Sequence, residues 1–214
     1  MVPLSKPAPN GARSLPIQRL SLRFLVWALC LAPSVAFAHT GIGSTSGFMS
    51  GFMHPLSGLD HQLAMILVGV FAYQLGGRAL WLVPLTFVSV MALGGLLGVE
   101  GVPIPFVEVG IALSVIVLGA VVAFGVKAPV AVAMGAVGLF AIFHGHAHGS
   151  EMPLDASGAE YGLGFTLATA LLHAVGIGSG LLIGLCGKTL GENAYRAVGG
   201  FASVIGVTIL LGYV

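Results

Sequence analysis

The sequence predicts an all-α integral membrane protein, with a cleaved N-terminal signal peptide over residues 1–38 and a six-helix transmembrane domain over residues 39–214. Three observations carry that prediction. Of 214 residues, 57% are hydrophobic and only 7% charged, where soluble domains carry about 25% charged residues; mean hydropathy is +1.05. Six apolar stretches recur along the chain, each approaching the roughly 20 residues a spanning helix needs. The Lys and Arg residues beyond residue 38 gather at alternate connections between those stretches. The same composition excludes a soluble globular domain. A net charge of +1 with no basic cluster outside the N-terminus gives no footing for nucleic acid.

Residues 1–38 read as a targeting segment. Lys6, Arg13, Arg19 and Arg23 supply positive charge with no acid among them. A short apolar run from Phe24 follows and ends in Ala36-Phe37-Ala38, an A-x-A cleavage pattern. Cleavage would leave His39 first and Cys186 as the one cysteine, hence no intramolecular disulfide despite an oxidising export route.

The first span covers 47–73 and holds the most informative stretch of the chain, Met53-His54-Pro55-Leu56-Ser57-Gly58-Leu59-Asp60-His61. An ionisable side chain at bilayer depth costs roughly 2.5–3.5 kcal/mol on insertion scales, so it marks an ion or substrate path by default. In a regular helix His54 and His61 share a face about 10 Å apart. Pro55 and Gly58 between them are helix interrupters. Either the helix breaks there and the two imidazoles converge on one ion, or they form two successive stations.

The remaining spans are expected over 80–98, 105–124, 129–144, 161–185 and 194–213. Arg78, Lys127, Lys188 and Arg196 belong to the connections after the first, third and fifth spans; Glu100, Glu151, Asp155 and Glu160 fall in the others. The positive-inside rule then puts both termini outside, on the periplasmic side of a bacterial inner membrane. Secretory cleavage requires the same orientation. Four Lys/Arg against seven Asp/Glu remain beyond residue 38, a net charge of −3. Small residues at intervals of four, Gly43-Gly47-Gly51, Gly94-Gly98 and Gly176-Gly180-Gly184, are packing ribbons for close helix approach, and a homo-oligomer would also pair through such faces. Gly187-Lys188-Thr189 has the tail of a phosphate-binding loop but lacks its first glycine, Leu182 standing there.

The second informative stretch, Phe143-His144-Gly145-His146-Ala147-His148-Gly149-Ser150-Glu151, has the composition of a metal-capture segment at the outer mouth of the fourth span. Glu108 lies about a turn inside the outer end of the third span. His173, near the middle of the fifth, is expected to form one polar centre with Asp60 and His61.

These two stretches together resemble the paired signatures of the HupE/UreJ proteins, small membrane permeases associated with hydrogenase and urease maturation. The resemblance covers the chain beyond the targeting segment and extends to the signal peptide and the six-span layout. It implies transport of nickel, or of cobalt in some members, as substrate, with no permanent cofactor.

The residues themselves support a divalent cation. Imidazole suits nickel, zinc, copper and iron, whereas Cu(I) favours thiolate and thioether ligands. Cys186 lies toward the other end of its span, but Met49, Met53 and Met65 flank the first cluster. The expected metal ligands are therefore His54, Asp60, His61, His144 and His173 along the path. His146, His148, Glu151, Glu108 and the freed amine and imidazole of His39 are expected at the outer face. Histidine protonation near neutral pH would make uptake pH-dependent. Two other classes compete with a permease. One is a membrane metal-binding accessory or sensor protein without transport. The other is an intramembrane zinc hydrolase, for which no H-E-x-x-H or serine-elbow motif is present. The reading is of a permease, not an enzyme.

Overall fold

The structure, a computed structural model, describes residues 47–154 and 156–212. The expected signal peptide, His39 and Gly43 lie outside the described residues, as does Asp155. The described chain is all helix, with no strand: α1 (Gly47–Ser57), α2 (Leu59–Leu75), α3 (Ala79–Val99), α4 (Val107–Phe124), α5 (Val130–Ser150), α6 (Gly158–Leu185) and α7 (Lys188–Leu210). Helices α3 to α7 are each long and apolar enough to cross a membrane, and α1 with α2 makes a sixth unit bent by 82°. The expected spans therefore appear in order, with the first one broken.

The break has a local cause. Pro55 carries no N–H for the last turn of α1, and Gly58 takes an extended conformation (φ −94°, ψ 125°) between the helices. The carbonyls freed at the end of α1 are taken up by side chains. Ser57 Oγ donates to His54 O at 2.7 Å, and Gln62 Nε2 reaches back from α2 to Leu56 O at 2.7 Å. Helix α2 starts on Gly58 O, which accepts Gln62 N–H at 3.0 Å, and carries Asp60 in its first turn, where the helix dipole favours negative charge.

Glycine sets which helices touch. Among the described residues the main pairs are α3 on α5, α4 on α7, and both α1 and α2 on α6. On the α3–α5 seam, a Cβ at Gly94 would lie 2.6 Å from Ile142 O, and one at Gly145 2.8 Å from Gly95 N. The backbones are therefore in contact, which is how helices associate in lipid, where no hydrophobic drive acts between them. The glycine faces at Gly51, Gly94, Gly98 and Gly176 meet backbone of the same chain, so these ribbons build the bundle itself.

Polar residues line a cavity at each end of the bundle. Gln74, Lys127, Glu192, Tyr195 and Arg196 line a cavity of about 560 Å³ at one end, where Lys127 Nζ donates to Gln74 O and Tyr195 Oη to Gly180 O. His54, Asp60, His61, Glu108 and Glu151 line a second cavity of about 230 Å³. It lies at the opposite ends of α4 and α5.

Candidate metal centre

The 82° bend folds α1 back so that His54 and His61 stand 6.4 Å apart between ring centroids. A straight helix would hold them about 10 Å apart. The span is thus broken between them and the two rings are brought closer than a regular helix would hold them.

Helix α5 supplies the other imidazoles. It continues to Ser150, past the expected end at 144, because Gly145 and Gly149 lie flat on α3. A Cβ at Gly149 would lie 2.9 Å from Val99 N. With 143–151 helical, His144 and His148 are four apart and share one face. Both are completely buried. His148 stands 4.8 Å from His54 and 4.7 Å from His61, and His144 stands 4.8 Å from His61, all in edge-on ring pairs. His146 falls on another face, where its Nε2 bonds Val102 O at 2.7 Å. The expected outer pair His146 and His148 is thus divided: His148 belongs to the cluster and His146 does not.

Carboxylates hold both edges of the cluster. His54 Nε2 pairs with Glu151 at 3.1 Å on the exposed side. Asp60 Oδ1 accepts both the backbone N–H of His61 at 2.7 Å and its Nδ1–H at 2.8 Å. An ionised carboxylate only accepts, so His61 Nδ1 carries a proton, and in the neutral imidazole Nε2 is then the nitrogen open to a metal. Such carboxylate–imidazole pairs orient metal-ligating histidines. Gly58 leaves room for them, since a Cβ there would lie 2.7 Å from Asp60 Oδ1 and 3.2 Å from His61 Nδ1. Glu108 stands on the cavity wall with Asp60 and Glu151.

Several partners carried no sequence signal. Ser114 Oγ meets His144 Nε2 at 2.9 Å, Phe165 stacks on His148 at 5.2 Å, and Tyr161 meets His54 edge-on at 6.1 Å. The ring of Phe87 stands 5.6 Å from His144 and 5.2 Å from His173. His173 is therefore one layer deeper than Asp60 and His61, with an aromatic ring between. One signal could have revealed the helical course of 143–151: Gly145-x3-Gly149, in register with His144-x3-His148.

The unpaired buried nitrogens include His61 Nε2, His144 Nδ1 and both nitrogens of His148. A buried polar atom without a partner is destabilising, and each neutral ring keeps one lone-pair nitrogen that a cation could take. Among the described residues, no three His, Cys, Asp or Glu side chains already stand in ligating geometry. Ring centroids 4.7–4.8 Å apart bring neighbouring imidazoles within reach of one ion.

Residues 27–209 match the family described as HupE / UreJ protein. The chain is 48% identical over 180 residues to Protein HupE of Rhizobium leguminosarum bv. viciae, a stretch covering 84% of this chain and 92% of that protein. No solved structure matches it.

Proposed function

The chain belongs to the HupE/UreJ family, and from that premise we propose that it is a permease for a divalent transition-metal ion, nickel or cobalt, supplying hydrogenase or urease maturation. The observation that carries this reading is the convergence of His54, His61, His144 and His148 from three helices at a break in the first span. Ion sites in transporters commonly form at such interruptions.

In this reading Glu108 and Glu151 collect the ion at the outer cavity, and His54 receives it beside Glu151. The ion then passes to His148, His61 and His144 by exchange between neighbouring imidazoles. Asp60 fixes the ring of His61 and adds negative charge. Conduction needs binding strong enough for entry and weak enough for exit. Intrinsic affinity follows the Irving–Williams order and favours copper over nickel. Selection then rests on geometry and on which metal is available. The glutamate-lined face is periplasmic and the Lys127–Arg196 face cytoplasmic, as the positive-inside rule requires.

The test is nickel accumulation by cells with and without the protein, at matched levels in the inner membrane. Expression should raise intracellular nickel, and His61→Ala should abolish the increment. If cells with and without the protein accumulate nickel equally while the purified protein binds it, the chain is a binding or sensing component. The transport reading then fails.

A further inference from the structure

Beneath the histidine cluster lies a second layer of donors, drawn from α2, α3 and α6. Met65, Met91 and Thr169 are 0% exposed and His173 is 1% exposed. Thr169 Oγ1 stands 3.3 Å from Met65 Sδ and 3.6 Å from Met91 Sδ. A threonine hydroxyl inside an apolar helix ordinarily bonds back to the carbonyl four residues earlier, as Thr86 does to Leu82 O at 2.7 Å. Thr169 instead points at two thioethers, which are weak acceptors. His173, one turn further along α6, is buried with both ring nitrogens unpartnered among the described residues. Leaving such atoms without hydrogen bonds is destabilising.

The layer lies in line with the cluster. Met65 is four residues after His61 on α2, one helical turn or about 6 Å deeper. Phe87, one turn from Met91 on α3, contacts both His144 and His173. Two turns beyond Met65 on α2, Tyr73 lines the cavity at the opposite end of the bundle. The layer therefore stands between the two mouths.

We propose that Met65, Met91 and His173, with Thr169 as oxygen donor, form an inner station for a late first-row divalent cation. This rests on the permease reading given above. Thioether and imidazole are soft to borderline donors and discriminate against calcium and magnesium, which prefer oxygen. No carboxylate belongs to the set, so the station binds more weakly than the outer cluster and releases the ion inward. Methionine has three rotatable bonds, so its sulfurs can turn toward a passing ion without movement of the helices.

Met65→Leu with Met91→Leu tests it, because leucine conserves the buried volume at each site. Nickel uptake by the double variant should fall at least tenfold, while Asp60-dependent nickel binding by the purified protein persists. X-ray absorption at the selenium edge of selenomethionine-labelled protein, loaded with nickel alone, should show a selenium–nickel contact that the double variant lacks. Uptake equal to the parent's together with no selenium–nickel contact in the parent would overturn the proposal. A parent that shows the contact but accumulates no nickel in cells would retain the site and sink the permease reading.

Discussion

Asp60→Asn tests how the centre works. Asp60 Oδ1 receives two N–H groups of His61, at 2.7 and 2.8 Å, which puts the neutral imidazole's proton on Nδ1 and leaves the buried Nε2 without a hydrogen-bond partner. Asparagine has nearly the same shape but no charge, and it offers an amide N–H₂ as readily as an oxygen. When the amide donates to Nδ1, the proton moves to Nε2 and the metal-facing lone pair is lost. Removal of a carboxylate that orients a ligating histidine lowers metal affinity about 10–100-fold, or about 1.4–2.8 kcal/mol at 1.4 kcal/mol per tenfold. The Asp60 side chain is 21% exposed, so water screens part of its direct attraction for a dication, and the effect should stay within that range. The assay is the initial rate of nickel uptake against external concentration, at matched protein in the membrane. The half-saturating concentration should rise about 10–100-fold. Because Asp60 acts through His61, adding Asp60→Asn to His61→Ala should cost nothing further in the nickel affinity of the purified protein, the readout of this cycle. Full additivity in that cycle would refute the positioning role and make Asp60 an independent ligand; an unchanged half-saturating concentration in the single variant would refute any role.

Three further outcomes follow from the same geometry. His148→Ala should reduce uptake even at saturating nickel, whereas His146→Ala should transport normally. The latter should lose only the bond to Val102 O, about 1 kcal/mol of stability readable as a lower thermal midpoint. Glu151→Gln should raise the half-saturating concentration and leave the maximal rate intact, since this carboxylate is 57% exposed and pairs with His54 at the rim; added salt should narrow the difference from the parent. Gly58→Ala should weaken uptake in the manner of Asp60→Asn, because its Cβ displaces the Asp60 carboxylate; a variant that transports like the parent would show that the Asp60–His61 pair tolerates movement.

The spans were legible in the sequence because burial in lipid imposes a pattern that needs no partner. Every residue from Ala79 to Val99 must be compatible with hydrocarbon whatever it packs against, and that can be counted along the chain. The same holds for the break: Pro55 and Gly58 disfavour a helix by their own covalent structure, and Asp60 beside His61 forms a contact between sequence neighbours. The roles of the three histidines in 143–151 had a different origin. Alternating histidines read alike in a loop and in a helix, and only the close contact of Gly145 and Gly149 with α3 makes the segment helical. Once it is helical, a spacing of four puts His144 and His148 on one buried face, and a spacing of two turns His146 away. The surroundings of His173 were likewise decided by tertiary structure. Phe87 comes from another helix and separates it from His144, and a residue's own position along a span records its depth but not what stands beside it. Ser114, Met91 and Thr169 belong to the same class: each looks like ordinary span composition until helix packing brings its side chain against a donor from elsewhere in the chain.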